Sequence, residues 1–258
     1  MCPRARSSLA RVSADTLIFI PAFNEEESVA DVVRAVRAEL PDADILVIDD
    51  GSSDRTAAVS REAGAIVASL PFNRGLGAAL QTGYLYAREH GYSFCAHLDS
   101  DGQHRPEDLH KLLDAVRSGR ADLALGSRYK LPDAKRMAEA YEPTLLRRIG
   151  TELFRRLLSF TTRHHFTDTT SGLRAANRTV IELFASYYGA DYPELESLQR
   201  VVRCGLRLEE IPVVMLPRAA GRSKFNPFNS AFFVFKGLLV VGVGAARRHA
   251  PVEAADGE

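Results

Sequence analysis

Two aspartates, Asp99 and Asp101, follow an apolar run that ends at Leu98. In an extended chain, residues two apart point in the same direction, so the two carboxylates can converge on one point. Proteins hold Mg²⁺ or Mn²⁺ with one or two carboxylates and with substrate phosphates. The spacing therefore predicts a divalent-metal site, and Gln103 and His104 are close enough to add or orient a ligand. Because turns also favour Asp and Gly, an ordinary turn is the alternative interpretation.

Polar side chains also follow the neighbouring apolar runs. Asp50 ends one run, directly before Gly51, and can accept hydrogen bonds from a ribose or a base. Glu25 follows the first run and can do the same for the base. Segment 73–77 contains two glycines, but it has neither the lysine of a P-loop nor the spacing of a dinucleotide motif. We expect a glycine-permitted turn that shapes the cleft, and direct contact with a substrate stays open.

The elements that must position these residues alternate from Thr16 to Arg128, as in a parallel sheet covered by helices. The predicted strands are Thr16–Ile20, Asp44–Ile48, Ala65–Ser69, Phe94–Leu98 and Leu123–Leu125. A covering helix is predicted over Val29–Leu40, and further helices start near Ser53 or Asp54, after Gly75 and Gly77, and at Pro106. Ligands of such sheets bind beyond the carboxyl ends of the strands, so one cleft can gather the polar residues.

The alternation stops after Arg128. We predict a basic amphipathic helix at Tyr141–Phe160, a second helix at about Pro193–Cys204 and a strand at Arg207–Val214. The apolar stretch Ala231–Ala246 is shorter than the roughly 20 residues that a membrane-spanning helix needs. Since basic residues follow it, this stretch can lie on a bilayer more easily than cross it, or it can pack on the surface of the protein itself.

The composition gives no sign of a nucleic-acid partner. The 258 residues include 33 basic and 33 acidic ones, so the formal net charge is zero. The three cysteines are odd in number and far apart, which favours reduced thiols in a cytosolic protein. The first fifteen residues lack the apolar run of a secretory signal. We therefore expect a cytoplasmic protein with a frayed amino-terminal tail.

Seven short motifs occur in order along the chain. They are Ile20–Glu25, Val47–Asp54, Asn73–Gly77, Asp99–His104, Gly126–Tyr129, Asp168–Gly172 and Arg218–Lys224. Together they resemble glycosyltransferase family 2, in the branch of dolichol- and polyprenyl-phosphate sugar synthases. The resemblance runs from about residue 16 to residue 230 and implies an α/β fold of the GT-A type, with a mostly parallel central sheet flanked by helices and a C-terminal helical extension.

The resemblance also implies site residues. The implied donor-binding residues are Pro21, Phe23, Glu25, Ile48, Asp50, Ser100, Gln103, Arg218 and Lys224. The implied ligands of Mg²⁺ or Mn²⁺ are Asp99, Asp101 and Gln103, and the implied acceptor-phosphate residues are Arg128, Arg147 and Thr151. Asp99, Asp101 and Arg128 form the expected catalytic set. Synthases of this branch often have a tyrosine where Phe23 stands. The phenylalanine of this chain lacks the tyrosine hydroxyl near the base.

The predicted activity is inverting transfer of a sugar from a nucleotide-diphosphate donor to a polyprenyl phosphate. An ionised phosphate needs no strong base, whereas a hydroxyl acceptor would need a carboxylate within reach. Glu194 and Glu196 are candidates for that carboxylate, or they simply start a helix. A glycosyltransferase acting on a hydroxyl and a non-catalytic nucleotide-sugar-binding module therefore stay open as alternatives.

The predicted domain organisation has three parts. Residues 1–15 form a flexible tail, residues 16–225 a GT-A domain, and residues 226–258 an amphipathic helix and tail. The GT-A domain divides into a donor half at 16–128 and an acceptor half at 129–225. The carboxy-terminal helix can attach the protein to the cytoplasmic face of a membrane.

Overall fold

The computed structural model describes residues 14–130, 145–189 and 192–216, without the side chains of residues 145–149 and 151. The strands of this part are β1 Thr16–Ala22, β2 Asp44–Asp49, β3 Ile66–Ser69, β4 Phe94–His97, β5 Leu123–Ser127, β6 Arg174–Asn177 and β7 Leu208–Pro212. The helices are α1 Val29–Glu39, α2 Thr56–Glu62, α3 Leu76–Glu89, α4 Asp108–Arg117, α5 Leu145–Thr162, α6 Arg178–Ser186 and α7 Pro193–Arg203.

All seven described strands join one sheet, in the order β3-β2-β1-β4-β6-β5-β7. Neighbouring strands are parallel except where β6 pairs antiparallel with β4 and β5. The mostly parallel α/β sheet flanked by helices is confirmed. So are the six predicted strands, whose ends differ from the observed ones by no more than two residues.

The prediction that the alternation stops after Arg128 is wrong. Strand β6 lies between β4 and β5, and helix α6 follows it directly. Two predicted helix starts were also early, because α2 begins at Thr56 and α4 at Asp108. The strand β6 was missed because it is short, begins with an arginine and shows no apolar alternation.

The alternation of side chains along β1 divides the core into two layers. Leu17 and Phe19 point to the face that α3, α5, α6 and α7 cover. Ile18 and Ile20 point to the opposite face, which α1 and α4 cover. Because both faces are apolar and buried, polar residues concentrate at the strand ends, and the carboxyl ends of six parallel strands share one edge of the sheet.

Candidate active site

The loops after β1 and β2 form one connected wall at the carboxyl edge of the sheet. The backbone N–H of Asn24 donates to Ser52 Oγ (3.0 Å), and Asn24 Oδ1 accepts from the backbone N–H of Ser53 (2.9 Å). Asn24 has a left-handed backbone with φ of 55°, a conformation that asparagine tolerates better than most residues. These bonds fix the position of the two predicted donor-binding loops relative to each other.

Asp50 fastens a third loop to this wall. Its Oδ1 accepts from the N–H of Arg74 (2.7 Å) and its Oδ2 from the N–H of Gly75 (2.8 Å). The adjacent Gly51 has φ of 72°, and a Cβ there would lie 2.5 Å from the backbone of Phe72. Gly75 has φ of 86° and precedes α3, as expected of a glycine-permitted turn. The structure thus gives the Asp50 carboxylate a local role, and its contact with the donor stays a prediction.

Asp99 belongs to the loop after β4, and its carboxylate lies against the loop before β6. Its Oδ2 is 3.2 Å from His104 Nε2, and its side chain is 38% exposed although that of His104 is only 1% exposed. A Cβ on Gly172 would lie 2.5 Å from Asp99 Oδ2, so only a glycine leaves room for this carboxylate. Among the described residues, His104 Nδ1 has no hydrogen-bond partner. A buried histidine and a backbone surface therefore orient a carboxylate that still reaches solvent.

Asp101 and Gln103 connect this loop to the chain after β7. Asp101 Oδ1 accepts from the N–H of Gln103 (3.0 Å), whose side-chain Nε2 donates to the carbonyl of Leu216 (3.3 Å). Within the described residues, no group of three or more His, Cys, Asp or Glu is arranged to hold a metal. A pair of carboxylates still fits Mg²⁺ or Mn²⁺, because substrate phosphates and water complete the coordination of these ions.

Arg128 follows β5 and forms a bidentate pair with Asp168. Arg128 Nε donates to Asp168 Oδ2 (2.7 Å) and Nη2 to Asp168 Oδ1 (2.8 Å), while Nη2 also donates to Thr170 Oγ1 (2.8 Å). The side chain of Arg128 is 16% exposed and that of Asp168 is fully buried. The pair therefore holds a mostly buried guanidinium in a fixed orientation at the carboxyl edge of the sheet, where Nη1 also lies 3.4 Å from Met215 Sδ.

Glu210 holds the loop that carries Asp168. Its carboxylate accepts from the N–H of Thr167 (2.9 and 3.0 Å) and from the N–H of Asp168 (2.8 Å). Asp168 lies in one of the seven ordered motifs but had no predicted role, and Glu210 was not among the predicted site residues. The available signal was an acidic residue inside the apolar pattern of β7, since a buried charge needs hydrogen-bond partners.

The carboxylates of Asp99 and Asp168 are stabilised in their ionised form. Burial acts to raise the pKa of Asp99, but the hydrogen bond and charge of His104, with smaller effects of His97 and Arg128, hold it below its usual value. Burial also acts to raise the pKa of Asp168, and the hydrogen bond and charge of Arg128 outweigh it. Both groups are negatively charged at neutral pH.

The other described donor-binding candidates differ in burial. Pro21 and Ile48 are paired across β1 and β2, and the Ile48 side chain is fully buried in the core. Glu25 follows β1, and its Oε2 accepts from Ser28 Oγ (3.0 Å). Phe23 is half-buried in the same loop, and Ser100 is buried between the two metal-ligand candidates.

Several predicted residues fall outside the described part. Arg147 and Thr151 lie on α5, but their side chains are not described. Arg218, Lys224 and the stretch Ala231–Ala246 lie outside the described residues altogether. Among the helices that are described, none is both long and apolar enough to cross a membrane.

Sequence comparison links the chain to one family. The family model described as glycosyl transferase family 2 matches residues 17–184. Polyprenol monophosphomannose synthase of Mycolicibacterium smegmatis is 34% identical over 235 residues, which are 88% of this chain and 86% of that protein. Undecaprenyl-phosphate mannosyltransferase of Micrococcus luteus is 30% identical over 221 residues, which are 81% of this chain and 87% of that protein.

Structure comparison gives the same fold. The crystal structure of glucosyl-3-phosphoglycerate synthase from Mycobacterium tuberculosis, in complex with Mn²⁺, UDP-glucose and phosphoglyceric acid, matches with a TM-score of 0.68. The match covers 91% of this chain and 81% of the other, at 21% identity. At 21% identity, this likeness establishes the fold alone and not the substrates.

Proposed function

The chain belongs to glycosyl transferase family 2 and is a glycosyltransferase with a GT-A fold, and from this premise we propose that it transfers a hexosyl group from a nucleoside-diphosphate sugar to a polyprenyl phosphate. We further propose that the transfer inverts the anomeric carbon and uses a divalent ion. The names of the two relatives, which are similar over most of their length, support the lipid phosphate as acceptor.

The donor side of the proposed site is the carboxylate pair after β4. Asp99 and Asp101 would hold Mg²⁺ or Mn²⁺, which supplies positive charge to the diphosphate as it leaves. His104 and Gly172 orient the Asp99 carboxylate toward the cleft. The loop that Asp50 fastens forms the neighbouring wall, where a nucleoside would lie.

The single observation that carries the acceptor assignment is the oriented guanidinium of Arg128. It lies close enough to Asp99 to lower the pKa of that carboxyl, and part of it reaches solvent. The positive charge of this guanidinium, on the side where Nη1 lies 3.4 Å from Met215 Sδ, would attract an acceptor phosphate to a place beside the donor sugar. Asp168 fixes the orientation of Arg128 before any acceptor arrives.

The reaction that follows needs no proton acceptor. An oxygen of the acceptor phosphate forms a bond to the anomeric carbon of the sugar, on the side opposite the diphosphate. The bond from that carbon to the diphosphate breaks, and its electron pair leaves with the nucleoside diphosphate. Because the attacking phosphate is already ionised near neutral pH, the chain has to place it rather than activate it.

The test compares matched acceptors in the presence of Mn²⁺ or Mg²⁺. The purified chain is incubated with UDP- and GDP-hexoses and with either a polyprenyl phosphate or the corresponding polyprenol. We expect a glycolipid only with the phosphate, with release of nucleoside diphosphate well above the slow hydrolysis of the donor and with the anomeric configuration opposite to that of the donor. Glycosylation of the polyprenol, or of a water-soluble hydroxyl in preference to the phosphate, would overturn the acceptor assignment.

A further inference from the structure

Arg174 places a buried positive charge directly beneath the candidate site. It is the first residue of β6, it is only 1% exposed, and in the sheet it stands beside His97 of β4. Arginine is rarely buried so completely unless its N–H groups have partners. Its position next to the strand that leads to Asp99 makes those partners informative.

The guanidinium of Arg174 connects two separate segments. Nε donates to the carbonyl of Ser171 (3.2 Å), just before β6. Nη1 donates to Ser197 Oγ (2.6 Å) and Nη2 to the carbonyl of Glu194 (3.2 Å), both in the first turns of α7. Ser197 Oγ also donates to that Glu194 carbonyl (2.9 Å), which closes the network. The loop before β6 and the start of α7 are thus held by one planar side chain.

The loop that Arg174 holds is the one against which Asp99 lies. The next residue after Ser171 is Gly172, whose missing Cβ leaves the space for the Asp99 carboxylate. His97, two residues before Asp99, is paired with Arg174 across β4 and β6. Movement of this loop would therefore move the surface that supports Asp99.

We propose that Arg174 is a positioning residue that fixes the Asp99 carboxylate relative to the start of α7. The proposal rests on the proposed metal-binding role of Asp99. A guanidinium is suited to this task because its fork donates in several fixed directions within one plane, whereas a lysine ammonium is a flexible point charge. Loss of the fork would release both segments, and loss of one contact would release only one of them.

Three variants separate these contacts. Gly172→Ala disturbs only the Asp99 side, because the added Cβ would clash with the carboxylate. Ser197→Ala removes one bond on the α7 side. Arg174→Lys keeps the charge and removes the fork. The matched control is Arg207→Lys, which alters an arginine fork that pairs with Asp122 at the opposite edge of the sheet.

Two readouts are taken on each folded variant. Binding of Mn²⁺ in the presence of UDP or GDP is followed by the electron paramagnetic resonance signal of the free ion, and kcat and KM are measured for transfer. We expect Gly172→Ala to weaken Mn²⁺ binding by about tenfold or more, as is typical when the support of a metal ligand is lost. We expect Ser197→Ala to keep Mn²⁺ binding and to lower kcat by about tenfold, because the loop that supports Asp99 would lose one of its connections to α7 and small misplacements are costly in catalysis.

Arg174→Lys should show both defects, and Arg207→Lys should show neither. The proposal is overturned if Gly172→Ala and Ser197→Ala bind Mn²⁺ and turn over like the unaltered protein, whether or not Arg174→Lys folds. It is also overturned if all three variants lose only thermal stability. If the unaltered protein binds Mn²⁺ but does not use polyprenyl phosphate, the proposed acceptor fails, and the Mn²⁺ measurements still test the role of Arg174.

Discussion

Strand β5 has an Arg–Asp pair at each of its ends, and the two pairs have different surroundings. At the amino end, Asp122 accepts from the N–H of Arg207 (2.7 Å), from Arg207 Nη2 (2.8 Å) and from Asn177 Nδ2 (2.8 Å). At the carboxyl end, Arg128 and Asp168 form a similar fork. The same side-chain chemistry therefore occurs at both ends of β5.

The two pairs differ in which partner is held. At the amino end the carboxylate is the centre, because Asp122 accepts from Asn177 of β6 and from Arg207, the residue before β7, whose side chain is 60% exposed. At the carboxyl end the arginine is the centre, because buried Asp168 is fixed by its loop and Glu210 and orients Arg128 next to Asp99. A fork that collects strand ends supports the fold, whereas a fork that aims a cation at a cleft can serve a substrate.

The largest expected effect is a loss of transfer activity at the carboxyl edge of the sheet, without a loss of stability. Asp101→Asn should lower transfer by at least about a hundredfold, because it removes one of the two charges proposed to hold the metal. Thermal stability without metal should be kept, since an amide can still accept the N–H of Gln103. Turnover is measured at saturating Mn²⁺ alongside a thermal unfolding curve. Near-normal turnover of the variant would remove Asp101 from the metal site.

The next effect compares the two arginines directly. Arg128→Lys should reduce kcat/KM for the polyprenyl phosphate by about ten- to a hundredfold, the loss expected for a charged hydrogen bond of about 1.5–3 kcal/mol. Slow hydrolysis of the donor, in which water replaces the acceptor, should fall much less.

Arg207→Lys is the matched control at the other end of β5. It should lower the melting temperature and leave transfer intact, because Arg207 lies at the amino edge, away from the cleft. Equal losses of transfer in the two lysine variants would mean that the carboxyl-end fork, like the amino-end one, only supports the fold.

The sequence was sufficient to predict the carboxyl edge but not the way in which its loops are fastened. Strands such as β1 and β2 are apolar runs that end in polar residues, so their position follows from periodicity and the topology of parallel sheets. The bonds from Asp50 to residues 74 and 75 join positions more than twenty apart in sequence. Such contacts depend on the path of two loops, which no local pattern encodes.

Strand β6 and helix α6 were not predicted, because a short strand leaves little local pattern in the sequence. β6 consists of Arg174, two alanines and Asn177, so neither alternation nor β-branched residues mark it. Helix α6 did leave a signal, because Asn177 is its N-cap and its side chain accepts from the N–H of Val180 (3.2 Å). Arginines are mostly exposed, so nothing in the sequence marks Arg174 as buried, and only its bonds to Ser197 and Glu194 reveal its role.

A smaller effect, in stability and pH, should appear at the amino end. The hydrogen bond of Arg207 is the main reason that the pKa of Asp122 lies below its usual value. A lowered pKa in the folded protein stabilises it above the unfolded value of about 3.9, and this contribution is lost as pH falls through the lowered pKa. We therefore expect Asp122→Asn to melt a few degrees below the unaltered protein at pH 7.

That difference in melting temperature should shrink as the pH is lowered below about 4. The control is Asp114→Asn, which alters an exposed aspartate of α4. Melting curves between pH 7 and pH 3 give the comparison. A difference that stays constant over this range would mean that the ionised Asp122 carboxylate does not stabilise the fold.

The smallest expected effect lies at Glu194 in the first turn of α7, where the lipid-phosphate and hydroxyl acceptors lead to different expectations. Burial is the main cause that raises the pKa of Glu194, the charge of Asp99 adds to it, and that of Arg174 opposes it. Such a carboxyl group could serve a hydroxyl acceptor as general base, a role worth roughly 10²–10⁴-fold in rate. With an ionised phosphate as acceptor, Glu194→Gln should instead change transfer by less than about tenfold.

Glu196→Gln is the matched control for this last substitution, because it removes an equal charge from the same helix start. Glu196 Oε1 accepts from the N–H of Tyr192 (3.3 Å), as expected of a residue that stabilises the beginning of α7. Both glutamine variants are compared in transfer and in Mn²⁺ binding. If Glu194→Gln abolishes transfer while Mn²⁺ binding and the Glu196→Gln variant stay normal, the chain activates its acceptor at Glu194, and the assignment moves to a hydroxyl. If both variants transfer normally, placement by Arg128 is sufficient, which is what an acceptor that arrives already ionised requires.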